Sequence, residues 1–275
     1  MSKSNFMDVE KLAVIIPVYN NPNGLRITLD SIHDAQKPDG FITIVIDDGS
    51  TIPIVSAEKD ISIGVVLIRL EQNRGIEFAL NAGLKEAHDK GMNVIARIVA
   101  GDTVRKDRFH QQMKMLHACP EVGLVGTGAR FIDECGRDIF TFSPPEEDHS
   151  IRKRMHINSC ILHPSAMFRL SVIDVCGGYS TSYPAAEDYE LFFRMLKHAR
   201  ASCIREPLIN VVVKNNCISI ERRTLQILSR IRIQVLYFDP YIFQSYVGII
   251  MSFFLLLIPN NFLFFLKRRF KRWSY

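Results

Sequence analysis

A chain of 275 residues, 47% hydrophobic and 23% charged, can bury a sizeable core in one large domain with an appendage, which excludes a mainly disordered protein. The net charge of +5 is unevenly spread: from Arg222 onward nine Lys/Arg stand against one acid, Asp239. The remainder is net acidic, which argues against a nucleic-acid-binding core and for a tail that meets something anionic.

Leu12–Val18 is a short apolar run rich in branched residues, as expected of a strand buried on both faces. Asn20–Gly24 has turn chemistry, and Leu25–Ala35 has helical spacing with Leu25, Leu29 and Ile32 on one stripe. Phe41–Ile46 predicts a second strand, ended by Asp47-Asp48-Gly49-Ser50, and Val65–Leu70 predicts a third. Gly75–Lys90 predicts an amphipathic helix, and Val94–Ile98 a fourth strand. Strands alternating with helices imply βαβ units and a mainly parallel sheet, whose ligands gather at the carboxyl ends of the strands. The loops to watch are therefore Tyr19–Asn21, Asp47–Ser50, Asn73–Gly75 and Val99–Thr103. Further on, Gly123–Ile132 reads as a strand, Cys135–His149 as a loop with two prolines, and Ile151–Asn158 as a basic, helical segment. A Gly-Gly-Tyr turn at Gly177–Tyr179 precedes a helix that starts between Pro184 and Glu187, with Tyr189, Phe192, Phe193 and Leu196 as its core stripe. The six cysteines form no C-x-x-C pair and no signal peptide precedes the first strand, so reduced thiols in a cytoplasmic compartment are the expectation.

Three short stretches carry chemistry, and each has a plain reading beside the functional one. In "VIDDGST", Asp48 or Ser50 satisfies orphan backbone N–H groups at a helix start, or an Asp accepts a hydrogen bond from a nucleobase. In "QNRGIEFALNAGL", Arg74 beside a helix N-terminus is a natural diphosphate contact, or a solvated arginine. In "AEDYELFFRML", Glu187 and Asp188 are ordinary first-turn acids, or one of them, Asp188, is a general base for an attacking hydroxyl.

Taken in order, "VIIPVYNN", "VIDDGST", "QNRGIEFALNAG", "ARIVAGDTVRKDRF", "HPSAMFRLSVIDVCGGY" and "AEDYELFFRML" make residues 11–220 resemble the family-2 inverting glycosyltransferases of the GT-A fold. The nearest likeness is to a bacterial subgroup that builds lipopolysaccharide, O-antigen or capsule. The resemblance implies an α/β, Rossmann-like domain over 1–220 that takes a nucleotide-diphosphate sugar, usually UDP-linked, and transfers a hexose or N-acetylhexosamine with inversion. It implies Pro17, Tyr19 and Asn20 at the nucleoside, Asp48 with Asp47 at the base, and Arg74 near the diphosphate. It also implies Asp102 on Mg²⁺ or Mn²⁺, and Asp188 as base with Glu187 in support. His163 lies near the acceptor side of the family motif and is equally well a satisfied core histidine. The subgroup's metal motif reads D-A-G-D, whereas this chain has Val99 at its first position. Two ligands of a hard cation can come from the diphosphate and others from water, so one carboxylate suffices in principle. Lys214, where many relatives have histidine, offers a metal-independent route by stabilising the departing diphosphate. The rival expectation is a non-catalytic sugar-nucleotide-binding or scaffold relative. A nucleotidyltransferase would want a glycine-rich, lysine-bearing loop after the first strand, which "PVYNNPNG" lacks.

The segment 221–275 is expected to be a basic and apolar helical appendage. Arg222–Tyr237 reads as a linker helix, and Tyr241–Ile258 is a run of 18 mostly apolar residues followed by Pro259 and "KRRFKRW". At 1.5 Å per residue that run is barely long enough for a hydrocarbon layer of ~30 Å. A single crossing would also send the basic end to the far side, against the positive-inside tendency. A helix–turn–helix lying in or dipping into an anionic cytoplasmic leaflet meets neither objection, with a true span and a tail folded against the catalytic domain or a second subunit as the alternatives. The expected partners are thus a nucleotide sugar, a lipid-linked oligosaccharide or lipopolysaccharide acceptor, and the inner face of a bacterial inner membrane, with no nucleic acid.

Overall fold

The computed structural model describes residues 10–54, 64–213 and 223–257. Its first strands are β1 (Leu12–Val18), β2 (Ile42–Asp47), β3 (Val65–Arg69) and β4 (Val94–Arg97), with helices α1 (Pro22–His33) and α2 (Ile76–Asp89) between them. These four strands pair in parallel in the spatial order β3-β2-β1-β4. The order reverses between β1 and β4, and a crevice at the carboxyl ends of such a pair is the usual ligand site of an open α/β sheet. Alternate residues of β1 feed opposite faces: Ala13 and Ile15 join the core beneath α2, while Leu12, Val14 and Ile16 join Leu25 of α1 in the other. Pro17 sits inside a central strand, where a missing N–H is normally costly. Its pairing to β4 has already stopped at Ile15–Arg97, so no ladder bond is lost. Gly83 lets α2 lie close on the sheet, since a Cβ there would meet Ile15 Cγ2 at 2.7 Å.

Beyond β4 come β5 (Thr103–Val104), α3 (Arg108–Ala118), β6 (Val122–Ile132), β7 (Asp138–Phe142), α4 (Asp148–Met155), β8 (Met167–Arg169), α5 (Leu170–Cys176), α6 (Glu187–Leu196) and β9 (Arg200–Val212). The sheet continues β4-β8-β6-β9-β5, with β7 paired to β6. In this half β8 runs antiparallel to β4 and β6, and β5 antiparallel to β9, while β6 and β9 are parallel. The expected mainly parallel sheet therefore holds for the first half only, and the whole is a mixed α/β sheet.

Several boundaries differ for identifiable reasons. Helix α1 begins at Pro22 rather than Leu25, because the Asn21 side chain accepts the Gly24 N–H at 3.1 Å and caps it. The stretch expected as a loop over Cys135–His149 contains β7, whose Phe140 stacks on Phe131 of β6 with ring centroids 4.3 Å apart. Helix α4 opens at Asp148, which bonds Arg152 one turn on. Strand β9, for which the sequence predicts no element, carries Arg205, Glu206 and Pro207 in its middle. It holds because β6 has glycine opposite the irregularity: a Cβ on Gly128 would come within 2.3 Å of the Arg205 carbonyl.

Two further helices, α7 (Arg223–Leu236) and α8 (Phe243–Leu257), close the described chain. Helix α7 was expected as a linker; instead Ile233 is buried in the core cluster that holds Phe193 of α6, and Tyr237 stacks on Phe193 at 4.6 Å. Helix α8 covers 15 residues of the apolar run. Among the described residues no helix is long and apolar enough to cross a membrane. The expected basic terminus, Lys267–Trp273, lies outside the described residues.

Candidate functional site

The carboxyl ends of β1, β2 and β4 and the start of α6 gather nearly all the residues singled out above. At β2, Asp47 is fully buried: one carboxylate oxygen accepts the Ser50 N–H at 2.9 Å and the other bonds Arg69 Nη1 at 2.6 Å. It staples its own loop. Asp48 accepts the backbone N–H groups of Arg74 and Gly75, both at 3.0 Å. The capping reading is thus realised across space, with Asp48 serving the start of α2 rather than a helix of its own. Gly49, at φ +67°, allows this close approach; a Cβ there would sit 2.4 Å from the Gln72 backbone.

At β1, Tyr19 is half exposed, and Asn20 adopts a left-handed φ of 50°. The Asn20 N–H donates to Ser50 Oγ at 2.9 Å, and its side-chain oxygen accepts the Thr51 N–H at 2.9 Å. The Asn21 amide donates to the Ala100 carbonyl at 2.8 Å and so ties the first loop to the Asp102 loop. Arg74 is exposed beside the N-terminus of α2, its guanidinium 4.1 Å from the Phe78 ring centroid. That sets an exposed cation beside the start of α2, where Asp48 already takes the Arg74 and Gly75 amides.

Asp102 is buried, and its carboxylate accepts the Val212 N–H of β9 at 3.0 Å. Thr28 of α1 holds the loop from below, donating to the Asp102 carbonyl at 2.7 Å and accepting from Gly101 N–H at 2.9 Å. Val99, at the position where an acid is expected, is partly exposed and offers only its carbonyl, which already accepts from Thr28 and Asp102 N–H. Among the described residues no group of three or more His, Cys, Asp or Glu side chains is arranged to hold a metal ion. The donor set does not fit a metal centre held by protein alone; one carboxylate fits only an ion that comes in on a diphosphate. Lys214 lies outside the described residues.

The acidic pair opens α6. Ala186, its N-cap, has no capping side chain, and Ala185 before it takes a left-handed φ of 61°. Asp188 is partly exposed and one of its oxygens accepts the Tyr189 N–H at 2.8 Å. Glu187 is buried, with Oε1 3.9 Å from His163 Nδ1 and Oε2 without a hydrogen-bond partner among the described residues. Burial, then the charge of Asp188, pushes the Glu187 carboxyl up to about 8. Burial also raises Asp188, against the pull of the Tyr189 amide and Arg97 toward the ionised form. Burial thus disfavours the charged form of both acids, and most visibly that of Glu187. His163 is held far below its ordinary value by burial and the nearby Arg97 cation, so it is neutral. Its Nε2 bonds the Tyr179 hydroxyl at 2.9 Å. It is a satisfied core histidine that touches the acidic pair.

Sequence reasoning missed Arg97. The last residue of β4 is 2% exposed, and its Nε has no hydrogen-bond partner among the described residues. It lies electrostatically among Asp102, Glu187, Asp188 and Tyr179, while burial pulls its own proton affinity down. An arginine at an inward position of a strand that is otherwise Val-Ile-Ala is a signal that the sequence did display.

The raised Glu187 carboxyl has a consequence for stability. A folded-state value above the unfolded one means that stability is full below the unfolded value and is lost as pH rises through the folded one. Glu187→Gln is therefore expected to raise Tm relative to wild type at pH 9, by several degrees, and to change it little at pH 4. Thermal scans at the two pH values check this; equal shifts at both would reject the assignment.

A model of "Glycosyl transferase family 2" matches residues 13–177. Among curated relatives, the "Amylovoran biosynthesis glycosyltransferase AmsE" of Erwinia amylovora is 28% identical over 188 residues, spanning 67% of this chain and 69% of its own. An uncharacterized glycosyltransferase of Haemophilus influenzae is 26% identical over 191 residues, with 68% and 69% covered. Among solved structures, S. aureus TarS 1–349 in complex with UDP superposes with a TM-score of 0.63 at 18% identity, covering 90% of this chain and 69% of that one. The mannosyltransferase PcManGT from Pyrobaculum calidifontis, in complex with GDP-Man and Mn²⁺, gives 0.62 at 20% identity, covering 92% and 71%. At these identities the structural likeness speaks to the fold.

Proposed function

The chain belongs to glycosyl transferase family 2, a glycosyltransferase with a nucleotide-sugar donor, and on that premise we propose that it inverts the anomeric carbon while transferring one hexose or N-acetylhexosamine from a UDP-sugar to a lipid-linked saccharide. The observation that carries this reading is the acidic pair: Glu187 is buried, the partly exposed Asp188 stands next to it with one oxygen on the Tyr189 N–H, and both open α6 within the field of the buried Arg97 cation. Asp188 takes the proton from the acceptor hydroxyl as that oxygen bonds to the anomeric carbon. The bond from that carbon to the β-phosphate oxygen breaks on the opposite face, and the nucleoside diphosphate leaves with the electron pair. The nucleoside lies against Pro17, Tyr19 and Asn20, with the base edge at Asp48. The diphosphate lies toward Arg74 and the α2 N-terminus, with Lys214 following β9 in sequence. A divalent cation, Mg²⁺ or Mn²⁺, would come with the diphosphate, have Asp102 as its protein carboxylate, and neutralise leaving-group charge.

The acceptor and the place of work are part of the same proposal. A relative named for amylovoran biosynthesis supports a role in surface or exported polysaccharide, and the basic, apolar terminal segment supports work at the cytoplasmic face of the bacterial inner membrane. A second reading, a non-catalytic sugar-nucleotide-binding relative, is favoured by Val99; an acid pair gathered at the start of α6 has no task in it. Incubation with UDP-GlcNAc, UDP-glucose, UDP-galactose and GDP-mannose over lipid-extracted acceptors, followed by proton NMR of the new linkage, tests the reaction. An α-linked UDP-sugar is expected to give a β linkage. An α product would overturn the inverting assignment, and no product from any donor would favour the second reading.

A further inference from the structure

Helix α8 is amphipathic the wrong way round for a helix packed on a soluble domain. Its inward positions are small and polar: Ser245, Gly248 and Ser252 are buried. Ser245 Oγ meets His156 Nδ1 at 3.0 Å, Ser252 Oγ donates to Gln234 Oε1 at 2.8 Å, and a Cβ on Gly248 would come within 1.9 Å of the His156 carbonyl. Its outward positions, Phe243, Tyr246, Ile250, Phe253, Phe254 and Leu257, follow i, i+3, i+4 spacing and are all exposed. On α7, Leu225, Leu228, Val235 and Leu236 form a second exposed stripe. In water such faces normally turn inward, and a contiguous apolar face of this kind marks an interaction surface.

We propose that the outward face of α7 and α8 is a platform that lies in the headgroup region of an anionic bilayer, with α8 in the plane of the membrane. Among the described residues α8 covers about 22 Å, short of the ~30 Å hydrocarbon layer, so these residues by themselves fit a helix lying in the surface. Charge decides for an anionic surface. From Arg223 to the chain end, Asp239 is the only acid, and Lys267, Arg268, Arg269, Lys271 and Arg272 follow α8 in the sequence, with Trp273.

The platform is tied to the acidic pair. Ser229 of α7 donates to the Pro184 carbonyl at 2.9 Å, and Arg232 donates to the Ser182 carbonyl at 3.1 Å. These bonds hold the segment that runs directly into Glu187 and Asp188, and Tyr237 bonds Glu190 on the same helix at 3.1 Å. A membrane under α8 is thereby held in fixed relation to the start of α6, which is where a lipid-borne acceptor must present its hydroxyl. The inference deepens the reading above, and its purpose rests on that reading.

Flotation of the full chain with vesicles of phosphatidylcholine, and of phosphatidylcholine with 30% phosphatidylglycerol, tests it beside the triple variant Ile250→Glu, Phe253→Glu, Phe254→Glu. These side chains are exposed, so the fold is expected to survive, as UDP affinity and Tm would report. Wild type is expected to float with the anionic vesicles, and the variant to partition at least about tenfold less with UDP affinity unchanged. Equal flotation of both, or none by wild type, would overturn the platform. So would sedimentation as a dimer in wild type and a monomer in the variant, which gives the face to a second copy. Flotation as expected, with transfer only to soluble sugars, leaves the platform standing and strikes the lipid-acceptor reading.

Discussion

Asp188→Asn is expected to lower kcat by ~10²–10⁴-fold, the usual contribution of a positioned general base, while leaving nucleotide affinity unchanged. The amide keeps the shape and can still accept the Tyr189 N–H that orients the carboxylate at 2.8 Å, so a folding defect is not expected. What it loses is the capacity to take a proton. Transfer assays under donor saturation and calorimetric titration of UDP give the two readouts. Undiminished turnover would remove Asp188 from the chemistry, and equal loss of both would make it a binding residue. Because Glu187 is the buried member of the pair and Asp188 the partly exposed one, Glu187→Gln is expected to cost far less turnover at neutral pH than Asp188→Asn.

Arg97→Met is expected to damage both stability and rate. The guanidinium is a buried cation electrostatically close to Asp102, Glu187 and Asp188. Deleting one member of a buried charge cluster leaves the others uncompensated, at about 3–5 kcal/mol in comparable cases. The pH profile separates its electrostatic role from packing. Arg97 favours the ionised form of Asp188, so its removal raises that carboxyl further, and the base is then protonated over more of the acid range. The acid limb of kcat/KM is expected to move to higher pH in Arg97→Met and to return part of the way in Arg97→Lys. His163 and Tyr179 face the same cluster; the first is neutral and the second stays protonated across the range, so neither supplies the limb. A limb that does not move would show Arg97 to be structural alone.

The parallel half of the sheet was legible because β1, β2 and β4 are buried on both faces and read as short, mostly apolar runs, with β1 matching its expected span residue for residue. In the second half β6 was legible, but β7 and β9 were not, since both carry charges on partly exposed faces and β9 holds Pro207, and they are made strands by their partners. The site loops were legible for the same reason as the first half: they follow those strands. What the sequence could not separate was scaffold from chemistry within them. Asp47 and Asp48 stand side by side in the chain, yet Asp47 spends both oxygens on its own loop and Asp48 caps a helix from another segment. Arg97 was overlooked because an inward arginine explains itself only once Asp188, far away in sequence, is brought to it. The tail was legible as apolar and basic, but which way α8 turns depends on polar partners, Gln234 and His156, that only packing supplies.

The crevice at the ends of β1, β2 and β4 is expected to take a nucleoside diphosphate. Calorimetric titration of UDP into the full chain, with Mn²⁺ and again in EDTA, beside a GDP control, tests it most directly. Saturable UDP binding at one site, tighter than GDP and weakened by Arg74→Ala, is the result predicted. Stronger binding with Mn²⁺ would place Asp102 beside an ion carried by the diphosphate, and equal binding in EDTA would hand that charge to the protein's own cations. Failure to bind either nucleotide under both conditions would show that this crevice is no nucleotide site.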